Sequence, residues 1–282
     1  VHVAIFTDGC SAGDVTPQRP SRLAPRLGRR FTGLVTGPLF VGIDLAWSTG
    51  TTGIAAVDEA GRLLTSATVV TDEQIIGWLD GLGGVPRVVG VDAPLVVPNE
   101  TGQRPAERLI GSAYGRYGAS AHSANRRLLG GDPRAARLAR RRGWSVDPDL
   151  DQPGVGTTCI EVYPHPALVG LFGLPYRLGY KKGRTASRHP AFQSLLHHLE
   201  TVPELDLTSH PRWREIRDAV ARRTPGVISR YEDEVDAVLC AHLAWLWAHR
   251  PGSLQVYGTV AEGYIVAPPP PEHPPVRPNR PG

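Results

Sequence analysis

The chain has 282 residues, of which 41% are hydrophobic and 21% charged, with a formal net charge of +4. That composition suits a globular protein with a core, and no apolar run reaches the ~20 residues needed to cross a membrane. Three cysteines cannot all pair and the first residues lack a secretory pattern, so a reducing, cytoplasmic setting is expected. Residues 1–37 carry Pro, Arg and Gly without helical or strand periodicity and read as a disordered or spurious extension. Within them, Ile5–Cys10 imitates a first β-strand, but Pro17–Arg30 follows where a glycine-rich hairpin strand is required. The folded body is expected over 38–267, and the Pro-rich stretch 268–282 reads as an unpacked, disordered tail.

The body opens with three expected strands, Leu39–Ala46, Thr52–Asp58 and Arg62–Val70, the last two joined by a short hairpin turn. Thr71 can cap a helix whose apolar stripe is Ile75, Ile76, Leu79 and Leu82. Arg87–Val91 then reads as a buried central strand ending on Asp92. A polar, Arg-rich insert spans 98–150, with helices expected near 104–114 and 133–142. Thr158–Tyr163 reads as another strand. Helices are expected at 165–172, 189–202 and 211–223, and a long one from Glu232 to about His249. Leu254–Val260 and Tyr264–Val266 read as a terminal hairpin or edge strands. This order predicts an α/β protein: a mixed five-stranded sheet with flanking helices and a helical insert, the order of the RNase H-like fold.

Three acids stand at informative places. Asp44 and Asp92 each end an apolar strand, and Asp236 lies near the start of the long helix, three residues after Asp233. If the first and fourth strands are parallel neighbours, their carboxyl ends meet, which is where ligands bind in open α/β sheets. Residues 233 and 236 share one side of a helix. Converging carboxylates repel one another, and one or two divalent cations with oxygen ligands relieve that repulsion. A pair ~4 Å apart clamps the attacking and leaving oxygens of a phosphodiester. Taken singly, each Asp also reads as a turn or helix cap, or as a partner of the helix dipole.

The segments Val41–Asp44, Gly90–Pro94, Glu161–Pro166 and Asp233–Ala237 resemble domain-of-unknown-function family 429, described as predicted nucleases with an RNase H-like fold. The resemblance covers about residues 38–267. It implies Asp44, Asp92 and Asp236 as metal-binding acids, with Glu161 as a fourth catalytic acid and two Mg²⁺ or Mn²⁺ ions. The expected activity is metal-dependent hydrolysis of nucleic acid, DNA or RNA.

Of 31 basic residues only Lys181 and Lys182 are lysine, a bias that points to GC-rich bacterial coding. Two lysines that resist it read as phosphate-binding charges, with Arg184 close by, or as an exposed basic loop. Arg126 and the arginines up to 142 read as a nucleic-acid track or as a solvated face. Trp47 reads as a base-stacking platform or a core edge, and His122 as a loop residue. Two other functions remain open. Gly50-Thr51-Thr52-Gly53 resembles the first phosphate loop of actin-like kinases and ATPases, and the same fold also serves non-catalytic binding modules.

Overall fold

The computed structural model describes residues 37–46, 50–151, 156–181, 184–250 and 252–277. The expected extension (apart from Gly37), Trp47 and Lys182 lie outside them. In chain order the elements are β1 (Leu39–Asp44), β2 (Thr52–Val57), β3 (Leu63–Val69), α1 (Asp72–Asp80) and β4 (Pro86–Val91). The insert carries α2 (Pro105–Tyr114), α3 (Arg126–Leu129) and α4 (Arg134–Arg142). Then come β5 (Thr158–Glu161), α5 (Pro164–Leu171), α6 (Thr185–Glu200), α7 (Pro211–Ala221), α8 (Val227–His249), β6 (Gln255–Thr259) and β7 (Gly263–Ala267).

Five strands form one mixed sheet in the order β3-β2-β1-β4-β5. β1 and β2 pair antiparallel, as do β2 and β3, whereas β1–β4 and β4–β5 are parallel. This is the mixed sheet expected from the sequence, and its order is compatible with an RNase H-like arrangement. β6 and β7 form the expected hairpin as a separate two-stranded sheet.

Alternation along the strands sorts the core into two layers. Phe40, Ala55, Val57, Val88 and Ile160 face the larger cluster around α8. Val41, Ile43, Ile54, Val89 and Val91 face α1 and α4. The capping box at Thr71 and Gln74 starts α1, as the sequence predicts.

On the α8 face the sheet is paved with glycine. A Cβ on Gly42 would stand 2.0 Å from Ala237 O and 2.2 Å from Ala241 N, and one on Gly53 would stand 1.8 Å from Asp233 O. Gly90 faces Cys240 O in the same way. Backbone therefore packs on backbone, and α8 sits lower on the sheet than any side chain would allow.

Three expectations need correction. α8 begins at Val227 rather than Glu232, because its start after Gly226 has neither a capping side chain nor a first-turn acid to mark it. α6 begins at Thr185 and runs through Pro190, where a proline reads as a helix start. The 268–277 part of the tail is packed: Pro268 O accepts from the Tyr114 and Tyr257 hydroxyls, and Val276 N donates to Pro175 O at 2.9 Å.

Candidate functional site

The glycine paving decides where the acids go. Gly42 and Asp44 are two residues apart on β1 and so point to the same face, as do Gly90 and Asp92 at the end of β4. Where the glycines admit α8, the next residue on that face is a carboxylate. Gly53 lies opposite Asp44 across the β1–β2 ladder and touches the backbone of Asp233. Asp92 N donates to Ile43 O at 2.8 Å, which continues the β1–β4 pairing to the site.

Lys181 stands among these acids. Its Nζ is 3.1 Å from Asp44 Oδ2 and 2.6 Å from Asp236 Oδ2. The second contact lies off the hydrogen-bond direction, so Asp236 Oδ2 is buried without a hydrogen-bond partner. Tyr180 donates its hydroxyl to Asp236 Oδ1 at 2.8 Å, and Thr51 donates to Asp233. Among the described residues, no hydrogen bond or ion pair reaches the Asp92 carboxylate.

Four carboxylates thus face one ammonium. Burial pushes the Asp44 carboxyl well above the usual carboxylate range; Lys181 opposes this, and Asp92, Asp236 and Asp233 add to it. Burial likewise lifts Asp92 to about 7, against Lys181 and with Asp236. Burial works against charge on Lys181, yet Asp236 and Asp44 hold its ammonium well above the ordinary range.

A cleft of about 370 Å³ opens on Asp44, Asp92 and Lys181. Its walls include Ser120, His122, Tyr163 and Arg177. The loop residue His122 therefore borders the site. Tyr180 and Arg177 were not anticipated, and Thr51 only as part of the turn that resembles a phosphate loop. The signal for Tyr180 was its place beside the anomalous lysines.

Of the other expected residues, Glu161 lines a smaller pocket beside Asp92 and His122, and the rest are placed apart. Glu161 ends β5, but Arg104 Nη1 and Nη2 bind its two oxygens at 2.9 and 2.5 Å, and Leu95 N donates at 2.9 Å. Arg104 also bonds Glu107, and all three side chains are buried. Glu161 therefore braces the loop after Asp92 rather than facing the cleft with a free oxygen. Arg126 donates to Val97 O at 3.2 Å, and Arg184 is exposed ahead of α6; neither borders the cleft. The α4 arginines are largely committed: Arg134 and Arg137 pair with Asp72, Arg141 with Glu73 and Arg142 with Asp80. The three acids of α1 balance much, not all, of this charge, and Arg140 pairs with Asp132 instead.

A family model described as "Protein of unknown function (DUF429)" matches residues 42–262, from the middle of β1 to beyond β6. The chain belongs to this family. Among curated proteins nothing matches it. The DUF429 match contains Asp44, Asp92, Lys181, Asp233 and Asp236, so the whole acid cluster lies inside the family region. The arms of this DUF429 site are hard oxygen donors with surplus negative charge, and one buried oxygen, Asp236 Oδ2, makes no hydrogen bond although Lys181 stands beside it, which fits a divalent cation by donor type and charge. Among the described residues, no three acids already stand at metal-holding spacing. The Lys181 ammonium occupies the space between Asp44 and Asp236 instead.

Proposed function

We propose that this protein hydrolyses phosphodiester bonds of nucleic acid with Mg²⁺ or Mn²⁺, using the cluster at the carboxyl ends of β1 and β4. The observation that carries the reading is the gathering of four carboxylates around Lys181: Asp44 and Asp92 line the cleft, and Asp233 and Asp236 act on Asp44 from α8 behind them. Asp44, Asp92 and Asp236 would hold the metal, with Asp233 beside them. When bound, the ion supplies Lewis-acid stabilisation of charge on the phosphoryl oxygens.

The chain's own residues do the rest. Tyr180 fixes the Asp236 carboxylate through Oδ1 and leaves Oδ2 to face the site. Lys181, released from its carboxylate partners, is a point charge at the cleft for a non-bridging phosphate oxygen. Arg177 on the cleft wall supplies a second cation for the same backbone. Hydrolysis breaks the bond from phosphorus to the leaving oxygen while water adds its oxygen and yields its protons to solvent and that leaving group.

A second reading also has a specific observation behind it. Lys181 already pairs with two of the acids, which suits a metal-free module that binds without cutting. One assay separates the two readings: a panel of single-stranded, duplex and junction DNA and RNA, with and without Mg²⁺ or Mn²⁺. The expected result is cleavage only with metal, reduced about 100-fold or more in Asp44→Asn and Asp236→Asn, since even outer-shell partners of a metal cost 10–100-fold. Equal cleavage by all three proteins overturns the mechanism, and retained binding without cleavage favours the module.

A further inference from the structure

Chain ends ordinarily fray, but the proline-rich strap 268–277 reaches the loop that delivers Lys181 to the acid cluster. That loop, residues 172–181 after α5, is in neither helix nor strand. It places Arg177, Leu178, Gly179 and Lys181 on the cleft wall and Tyr180 on Asp236. An irregular stretch keeps its shape only through the partners of its backbone groups. Leu174 N donates to Val169 O at 3.0 Å, which ties the start of the loop to α5. Arg188 Nε donates to Tyr180 O at 2.7 Å, which ties its end to α6. Between these points, Arg177 N donates to Tyr117 O at 2.9 Å. The strap supplies two further bonds, from His273 Nε2 to Gly173 O and from Val276 N to Pro175 O, both at 2.9 Å.

Tyr117 joins loop and strap. Its carbonyl holds Arg177, its hydroxyl meets Pro271 O and His273 O, and its ring stands edge-on to His273. At the next residue, Gly118, the Tyr176 ring fills the space a Cβ would need. The two parts of the strap are held unequally. Pro268 O accepts from the Tyr114 and Tyr257 hydroxyls, and both contacts are buried. His273 and Val276 are exposed, Val276 to 65%. The outer part of the strap therefore opens more readily than the inner part.

We propose that residues 273–277 are an autoinhibitory latch on the acid cluster. Closed, they hold Gly173 and Pro175, and the loop keeps Lys181 between Asp44 and Asp236. That is the space a divalent cation needs. Opened, they free the first half of the loop, and the ammonium withdraws from the two carboxylates. Arg177 leaves the cleft wall with it, because its backbone lies between Pro175 and Lys181. The inhibition rests on the metal reading of the cluster, whereas the latch rests on these contacts alone.

Lysine chemistry reads the latch directly, because Lys181 and Lys182 are the only lysines of the chain. An ammonium held by two carboxylates resists acylation, which needs the free amine. Three proteins are compared in EDTA: the full chain, the chain ended after Glu272, and the full chain carrying His273→Ala with Val276→Pro. Both altered proteins keep Pro268 and Pro271 on their tyrosines, and Val276→Pro removes one N–H from a stretch already rich in proline. Loss of two hydrogen bonds of ordinary net strength shifts the opening equilibrium about 10-fold or more. Acylation of Lys181, read by peptide mass spectrometry, should accelerate by that factor in both altered proteins. Amide exchange over 172–181 should accelerate with it, while exchange in α8 and the urea midpoint stay close to the parent's. Equal acylation in the three proteins overturns the latch. So does faster exchange spread through α8, which marks general destabilisation. Calorimetric titration with Mn²⁺ then tests the inhibition separately. Tighter binding by both altered proteins supports it. Equal affinity, or no binding by any of the three, overturns the inhibitory role and leaves the latch to the acylation result.

Discussion

Lys181 stands between two carboxylates that the sheet and α8 force together, and its removal has a defined consequence. Lys181→Met leaves Asp44 and Asp236 facing each other at the edge of the core. Breaking a buried pair by removing one partner costs about 3–5 kcal/mol, and the partial exposure of Lys181 places this case at the lower end. Under the metal reading, Mg²⁺ or Mn²⁺ takes over the role of the ammonium. Thermal melts should then show the variant destabilised in EDTA and recovering with metal by more than the parent does. A variant whose melting point ignores metal removes support for the cation site. A second single-residue effect lies away from the cleft, at His242 on α8, stacked on Trp245. Burial lowers its pKa from 6.5 to about 4, with Glu204 opposing and Arg250 assisting. The unfolded imidazole takes up a proton below about 6.5, and the folded one only near 4. The folded state therefore loses stability as pH falls through that window and keeps it in full above it. The loss amounts to ~3 kcal/mol in total. Urea denaturation at pH 4.5 and pH 7.5 should show this difference shrinking in His242→Phe; an unchanged difference assigns the acid sensitivity to other groups.

Between elements, the decisive contact is the seat of α8 on β1 and β2. A methyl group at Gly42 meets two backbone atoms of α8 that cannot rotate away. Overpacking ordinarily costs about 1–3 kcal/mol, and a clash with backbone falls at or beyond the top of that range. Gly42→Ala should therefore lower the midpoint of urea unfolding by an amount equivalent to about 3 kcal/mol or more. It should also weaken any function of the cluster, because lifting α8 separates Asp236 from Asp44. Gly111, by contrast, lies within α2 with open space at its Cβ position, so Gly111→Ala should stabilise by about 0.5–1 kcal/mol and serves as the control. The seat explains what the sequence showed and what it hid. Asp44 and Asp92 were legible as strand ends because an acid interrupts an aliphatic run. Gly42, Gly53 and Gly90 interrupt the same runs and carried an equal signal for close backbone approach. The start of α8 was hidden because it carries no capping side chain and no acid in its first turn. Arg104 and Glu107 were hidden for another reason. They stand in a polar segment where charged residues normally mark surface, and only the long-range pairing of Arg104 with Glu161 takes Arg104, and Glu107 with it, inside.

Across the whole molecule, the C-terminal prolines form a strap rather than a loose end. Proline-rich composition reads as unpacked because it offers no apolar periodicity, but here the docking groups are backbone carbonyls, which carry no side-chain signature. Tyr114 and Tyr257 both direct their hydroxyls to Pro268 O. Tyr117 Oη lies 2.8 Å from Pro271 O and 2.6 Å from His273 O. Gly170 on α5 gives Pro268 its place, since a Cβ there would stand 2.8 Å from the proline ring. A proline segment loses little entropy on docking because its φ is already set, so even a few such bonds hold it. Ending the chain after Ala267 strips three tyrosine hydroxyls of their acceptors and uncovers the α2 edge of the larger core. At ~1 kcal/mol for each net hydrogen bond, the truncated protein should be less stable by about 3 kcal/mol. Its m-value should be close to that of the full chain, because the sheet and α8 still unfold as one unit. Chemical denaturation of the two proteins side by side decides the matter: coincident midpoints would mean that the strap rests on the surface without holding it.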